Sequence, residues 1–189
     1  MSDTPRGDEC SAAASLNAPS SVLHSPLSPA SSWIGLGANL GDARSTLQRA
    51  FAALAAWPGV QVVSVSSLYR SAPVDAGGPD YWNAVAELRT TLPPLALLHA
   101  LQAIEWAEGR ERPYRNAPRT LDLDVLLYAD QLITTPELTI PHPRLWERAF
   151  VLLPLAELAP EYVSAAQLQA VAGQRIERVA DKAWAGRPA

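Results

Sequence analysis

The chain has 189 residues, of which 48% are apolar, enough for one domain with its own hydrophobic core. A net charge of −4 provides no overall basic field to attract nucleic acid, so an anionic ligand would need a local cluster of basic residues. A lone cysteine, Cys10, excludes an intrachain disulfide. No apolar run reaches the roughly 20 residues that cross a bilayer, and the acidic N-terminus disfavours a secretory signal. We therefore expect a cytoplasmic protein with no membrane partner.

Residues 1–32 differ in composition from the rest of the chain. Serine, alanine and proline make up more than half of them, and aromatic and β-branched residues are nearly absent. Such a segment buries too little apolar surface to offset the entropy lost on ordering. We therefore predict a disordered tail over 1–32, for which a targeting role is an alternative, and a single folded domain over 33–180.

The folded part opens with the signals of a strand, a helix and a second strand. Residues 33–37 predict a short strand, and Asp42 is suited to cap the helix that follows. Residues 43–57 carry apolar side chains at three- and four-residue steps, and Pro58-Gly59 ends that helix. Residues 60–69 alternate valine with serine, which is typical of a half-buried strand.

The next part of the chain contributes a second helix between two further strands. Proline and glycine predict a loop over 71–80, and a strand follows over 81–89. Pro93-Pro94 opens a helix that Gly109 ends. A basic loop is predicted at 110–119, and a strand at 121–128.

The C-terminal part adds smaller elements to this pattern. The sequence predicts a short strand within 133–140, a rigid turn at 141–143, a helix over 148–158 despite its proline, and one more helix within 161–180. The main elements follow the order βαββαβ, which is that of a ferredoxin-like α+β domain. We therefore predict this fold class, with C-terminal additions to the core.

Two acids stand one strand position apart in the segment 121–128. Because successive side chains of a strand point to opposite faces, Asp122 and Asp124 project to the same face and Leu121, Leu123 and Val125 to the other. A carboxylate pair this close suits Mg²⁺, which takes one or two carboxylates and completes its shell with phosphate and water oxygens. The alternative is a solvated strand face.

Four arginines precede the acids within ten positions, at Arg110, Arg112, Arg115 and Arg119. Guanidinium groups bind phosphate oxygens in pairs and stay charged. A basic loop beside a carboxylate pair is what a polyphosphate–Mg²⁺ complex requires, although a solvated charge run is the alternative. No glycine-rich phosphate loop is present in the sequence, so these arginines would carry most of the phosphate recognition.

Two further groups are candidates for ligand contact. His142 lies between two prolines that fix its backbone direction, and Arg148 follows six residues later. Tyr81 and Asn83 follow a loop, and an aromatic ring with an amide can bind a flat heterocycle by stacking and hydrogen bonding. For the histidine a structural role, and for Tyr81 and Asn83 core packing, are the alternatives.

The motif Pro118-Arg119-Thr120-Leu121-Asp122-Leu123-Asp124-Val125-Leu126 resembles the signature of the 6-hydroxymethyl-7,8-dihydropterin pyrophosphokinase family. The resemblance extends over about 33–160. Further matching segments are Ile34-Gly35-Leu36-Gly37-Ala38-Asn39-Leu40, Ser67-Leu68-Tyr69-Arg70-Ser71, Asp80-Tyr81-Trp82-Asn83-Ala84 and Pro141-His142-Pro143-Arg144. The resemblance implies a three-layer fold. It also implies transfer of pyrophosphate from ATP to the pterin hydroxymethyl group in tetrahydrofolate biosynthesis, releasing AMP.

The resemblance also implies roles for individual residues. Asp122 and Asp124 would hold two Mg²⁺ ions and act in catalysis with Arg110 and Arg119. The nucleotide and phosphate path would be lined by Gln102, Glu105, Arg110, Arg112, Arg119, Thr139, His142 and Arg148. The pterin pocket would be formed by Ser71, Val74, Tyr81, Asn83, Asp122 and Phe150. We expect a monomer that binds no nucleic acid.

Two other functions are open at this level. One is a different Mg²⁺-dependent nucleotidyl or phosphoryl transferase with a similar acid pair, which would not release AMP strictly with pterin. The other is a non-enzymatic ferredoxin-like module that binds RNA, which would need exposed aromatic residues and a basic sheet face. The acids at Asp122 and Asp124 disfavour the second, since they repel phosphate in the absence of a metal ion.

Overall fold

A computed structural model describes residues 28–73, 78–109 and 120–186. The first strand, β1, spans Ala30–Ala38, so the predicted boundary of the tail at residue 32 is wrong. Ala30 pairs with Thr90 in the sheet, and the Ser32 hydroxyl donates to the Leu127 carbonyl at 2.8 Å. Residues 30–32 are ordered because their polar groups find partners on neighbouring strands. The rest of the predicted tail, 1–27, lies outside the described residues.

The elements after β1 follow the predicted order. They are α1 (Ala43–Ala55), β2 (Val60–Val65), β3 (Leu68–Ser71), β4 (Tyr81–Thr90), α2 (Pro94–Ala107) and β5 (Asp122–Tyr128). The C-terminal part adds β6 (Ile133–Thr134), β7 (Thr139–Ile140), α3 (Ala149–Leu158), α4 (Ala165–Val171) and β8 (Ile176–Ala180). Asp42 caps α1 as predicted, with its carboxylate accepting from the Ser45 amide at 3.1 Å.

Among the described residues the main sheet is antiparallel and has six strands. Its order is β5-β1-β4-β3-β8, and β2 pairs with the other part of β4. Helices α1 and α2 cover one face, where Leu47, Leu101 and Leu123 share a core. Helices α3 and α4 cover the opposite face, where Val85, Leu152 and Val171 form a second core. The predicted ferredoxin-like α+β class and its three layers are therefore confirmed.

The structure departs from the predicted elements at residues 60–69, 133–140 and 176–180. The segment predicted as one strand over 60–69 forms two strands, β2 and β3. They are separated at Ser66, whose hydroxyl accepts from the Val85 amide of β4 at 3.0 Å. The short strand predicted within 133–140 is the antiparallel pair β6 and β7. The helix predicted within 161–180 is α4, and it is followed by a strand that was not predicted, β8, which pairs with β3. A polar, exposed strand such as β8 lacks the alternation that would reveal it.

The folded domain also extends beyond the predicted end at residue 180. Trp184 is buried in the core beneath α1, and its indole N–H donates to the Ser66 carbonyl at 2.9 Å. The Gln48 side chain of α1 donates to the Trp184 carbonyl at 2.6 Å. These contacts order the chain after β8. None of the described helices has the length and apolar character needed to cross a membrane.

Candidate active site

Two glycines of β1 form the floor of a cavity on the sheet face that carries α3. Gly35 pairs with Asp124 on one side and Val85 on the other, and Gly37 pairs with Asp122 and Asn83. Ile34 and Leu36 point to the opposite core. Since paired residues of an antiparallel sheet share a face, the glycines leave space between the acids and the side chains of β4.

This cavity contains about 860 Å³ of space, including the part open to solvent. A concave site of this kind, lined by apolar and aromatic groups with a few polar ones, is typical of small-ligand sites in proteins. The lining comes from β1, β3, β4, β5 and the segment leading into α3: Gly35, Leu36, Gly37, Ser71, Ala72, Tyr81, Asn83, Ala84, Asp122, Asp124, Leu126, Arg144, Arg148, Phe150 and Val151. The site is thus assembled from distant parts of the chain.

Asp122 and Asp124 are half-buried and both line the cavity. Their strand is fixed from the other side by Glu105 of α2, which is 2% exposed and accepts from the Leu123 amide at 2.7 Å. Within the described ranges, no group of three or more histidine, cysteine, aspartate or glutamate side chains could hold a metal ion. The two carboxylates nevertheless fit Mg²⁺, which fills its shell with phosphate and water oxygens.

His142 is held by backbone hydrogen bonds beside the cavity. The backbone N–H of His142 donates to the Leu126 carbonyl at 2.9 Å. The Nδ1 atom of its imidazole accepts from the backbone amide of Arg144 at 3.2 Å. Burial and the nearby charges of Arg148 and Arg144 lower the pKa of His142 more than Asp122 raises it. The lowered pKa favours the neutral imidazole, and because Nδ1 accepts from the Arg144 amide, the proton of that neutral form lies on Nε2, which is then a hydrogen-bond donor.

The opposite part of the cavity has an aromatic and amide character. Asn83 is 4% exposed, and its Nδ2 donates to the Ser71 hydroxyl at 3.0 Å and to the Tyr81 carbonyl at 3.3 Å. A Cβ on Gly37 would lie 3.5 Å from Asn83 Oδ1, so this oxygen faces the space above the glycine. The cavity therefore presents an oriented acceptor, with Phe150 also in its lining.

The structure brings together seven of the predicted site residues in this one cavity: Ser71, Tyr81, Asn83, Asp122, Asp124, Arg148 and Phe150. Four further predicted residues are described but are not part of the lining: Gln102 and Glu105 on α2, Thr139 on β7, and His142. The predicted residues Val74, Arg110, Arg112 and Arg119 lie outside the described residues.

Arg144 and the two glycines of the floor were not among the predicted site residues. Arg144 follows the Pro141-His142-Pro143 turn, and its place in the lining depends on how that turn folds back onto β5. Glycines inside a predicted strand are a signal of close backbone approach or of an approaching ligand, and Gly35 and Gly37 carried that signal.

A three-layer ferredoxin-like fold whose acid pair shares a cavity with an aromatic and amide wall is suited to a kinase that acts on a small heterocycle. Residues 33–160 match the family described as 7,8-dihydro-6-hydroxymethylpterin-pyrophosphokinase. The chain belongs to this family, and it is a pyrophosphokinase of folate biosynthesis.

Curated relatives agree with this assignment, and solved structures share the fold. The chain is 49% identical over 130 residues to the 2-amino-4-hydroxy-6-hydroxymethyldihydropteridine pyrophosphokinase of Pseudomonas aeruginosa, covering 68% of this chain and 80% of that protein. The Synechocystis enzyme of the same name is 47% identical, with 69% and 67% covered. The fold resembles Plasmodium falciparum HPPK-DHPS with SDX-DHP, at a TM-score of 0.60 and 14% identity, over 75% of this chain and 44% of that one.

Proposed function

We propose that this cavity is where the chain transfers the β,γ-pyrophosphoryl group of ATP to the hydroxymethyl oxygen of 6-hydroxymethyl-7,8-dihydropterin, releasing AMP. The observation that carries the proposal is the juxtaposition of Asp122 and Asp124 with Tyr81, Asn83 and Phe150 in one cavity. A carboxylate pair suits a metal–polyphosphate complex, and an aromatic and amide wall suits a flat heterocycle. The relatives' names supply the pterin and the transfer of pyrophosphate, and ATP as the donor is part of the proposal.

At the pterin end, the Asn83 carbonyl oxygen accepts from an N–H of the bound ring. Its orientation is set by the two hydrogen bonds that its amide nitrogen donates to Ser71 and Tyr81. Tyr81 and Phe150 contact the faces of the ring, and Gly37 allows it to approach the sheet backbone. A ring bound in this way directs its hydroxymethyl group towards Asp122.

At the phosphate end, positive charge comes from Arg144 and Arg148, which line the cavity, and from Arg110, Arg112 and Arg119. The neutral His142 donates from Nε2 to a phosphate oxygen. Groups held in place before the reaction stabilise the charge that develops on the transferring phosphoryl oxygens. Gln102 and Thr139 act at the nucleotide end of this path, where Glu105 contributes through β5, the strand whose Leu123 amide it accepts from, and Val74 acts at the pterin end.

Asp122 and Asp124 would hold Mg²⁺, with two ions proposed. When bound, the metal neutralises phosphate charge and aligns the attacking and leaving oxygens. The role of the chain is to keep the two carboxylates on one face at a fixed separation. β5 does this through its register with Gly35 and Gly37 and through the hydrogen bond from Leu123 to Glu105.

The test is AMP formation from ATP and Mg²⁺, with and without 6-hydroxymethyl-7,8-dihydropterin. We expect AMP only with pterin in the wild type, and at least a hundredfold loss of rate in Asp124→Ala, because an ion held by two carboxylates loses one ligand. Asp130→Ala removes an exposed acid just after β5 and serves as the matched control. Mg²⁺ titration by calorimetry with an ATP analogue gives a second readout, weakened only in Asp124→Ala.

Release of ADP in place of AMP would refute pyrophosphoryl transfer and favour a simple phosphotransferase. Full activity in Asp124→Ala would refute the assigned metal site. The proposed oligomeric state is a monomer, which light scattering after size-exclusion chromatography checks directly.

A further inference from the structure

Two consecutive residues near the C-terminus, Gln174 and Arg175, contact both walls of the cavity. They precede β8 and lie beyond residues 33–160, the part of the chain that matches the family. One wall is the segment that carries Arg148 and Phe150, and the other is formed by the ends of β3 and β4. The sequence predicted no role for either residue.

Gln174 holds the start of α3. Its side-chain oxygen accepts from the Ala149 amide at 2.9 Å, and its side-chain nitrogen donates to the Glu147 carbonyl at 2.7 Å. These two backbone groups flank Arg148, which has no capping side chain of its own. Gln174 therefore satisfies the N-terminus of α3 from a distant part of the chain and orients the turn that bears Arg148.

Arg175 holds the ends of β3 and β4. Its carbonyl oxygen accepts from the Ala72 amide at 3.2 Å, and its guanidinium donates to Asp80 at 2.7 Å. Ala72 follows the last residue of β3, and Asp80 precedes Tyr81, the first residue of β4. Asp80 also lies 4.0 Å from the Arg70 guanidinium, so it is held between two cations beside the Tyr81 wall.

We propose that Gln174 and Arg175 are positioning residues that set the separation of the Phe150 and Tyr81 walls, and with it the affinity for the heterocyclic substrate. The two residues are adjacent, so the peptide bond between them links the contacts to α3 with those to β3 and β4. Neither residue lines the cavity, so each acts through the residues it holds. This inference rests on the proposed function for the identity of the heterocycle.

The experiment measures equilibrium binding of 6-hydroxymethyl-7,8-dihydropterin to Gln174→Ala, Arg175→Ala and the double variant, together with KM, kcat and thermal stability. The hydrogen bonds from the Gln174 amide to the Glu147 carbonyl and from the Arg175 guanidinium to Asp80 are both exposed to solvent. Each single change is therefore expected to weaken pterin binding only about two- to fivefold. Because the residues hold different walls, we expect the effects to multiply to about fourfold to 25-fold, with kcat within about twofold of wild type. Arg175→Lys is expected to restore part of the affinity.

The matched control is Gln169→Ala combined with Arg89→Ala, which removes the same side-chain types at exposed positions. Unchanged pterin affinity in a folded double variant would overturn the inference. A fall in kcat as large as the fall in pterin affinity, together with a lower melting temperature, would also overturn it, since that result indicates a general structural role. A wild type that binds pterin but forms no AMP would refute the proposed function, whereas the positioning role is judged from pterin affinity alone.

Discussion

Replacing Gly37 by alanine is expected to weaken pterin binding without destabilising the fold. Gly37 has no positive φ angle, so alanine adopts the same backbone without strain. The nearest atom to the added methyl group would be Asn83 Oδ1 at 3.5 Å, which is ordinary contact. Since glycine inside a strand costs about 0.5–1 kcal/mol relative to alanine, the variant is expected to be at least as stable as the wild type.

The same methyl group would project into the cavity between Asp122 and Asn83, where we place the heterocycle. Introducing a methyl group into a packed space costs about 1–3 kcal/mol, and each 1.4 kcal/mol is tenfold in affinity. We therefore expect pterin to bind about 5- to 150-fold more weakly to Gly37→Ala. The assay is equilibrium pterin binding together with a thermal melt.

The control for this prediction is Gly173→Ala, because a Cβ at Gly173 meets no atom within 4 Å and lies away from the cavity lining. Unchanged pterin affinity in a folded Gly37→Ala variant would refute the placement of the heterocycle over β1. A melting temperature well below that of wild type would refute the argument that the fold tolerates the methyl group.

Three further predictions follow from the hydrogen bonds and charges. Ser71→Ala frees the Asn83 amide to rotate, so pterin affinity is expected to fall about threefold to tenfold, whereas Ser71→Thr keeps the hydroxyl; equal affinities in both would contradict this. Arg144→Ala is expected to raise KM for ATP about tenfold and Arg144→Lys less, and an unchanged KM would remove Arg144 from the phosphate path. Burial raises the pKa of Glu157, but hydrogen bonds from Tyr69 and a backbone amide outweigh it and hold the pKa below its ordinary value. The stability that these bonds contribute is present above the ordinary pKa of a glutamate and is lost as pH falls through the lower pKa of the folded state, so Glu157→Gln should cost about 1 kcal/mol at pH 7 and progressively less in acid. Denaturant unfolding at each pH measures this cost, and a difference that does not depend on pH would contradict the prediction.

Local patterns were enough to predict most of the architecture. The strand alternation around Leu123 placed Asp122 and Asp124 on one face, where the structure has them. The capping residue Asp42 and the opening Pro93-Pro94 marked the starts of α1 and α2. These signals succeed because backbone geometry, side-chain period and turn chemistry act over a few residues, whatever the rest of the chain does.

Resemblance to a family supplied the residues of the pterin wall, and the structure places Ser71, Tyr81, Asn83 and Phe150 in one cavity. The residues alone had favoured core packing as the interpretation of Tyr81 and Asn83. The structure adds the pair of glycines on β1, which leave this face without the side chains that would otherwise fill it and so open the cavity that Tyr81 and Asn83 line.

The chain by itself thus determined its fold class, the face that carries the acids and the family to which it belongs, because each depends on short-range periodicity or on contiguous motifs. Only the tertiary structure decided that Arg144 enters the cavity, that Glu105 supports β5, and that Gln174 and Arg175 reach both walls. Those contacts join residues far apart in sequence, and the exposed polar strand beside them has no period of its own. Their positions follow from strand pairing and packing, which local patterns do not encode.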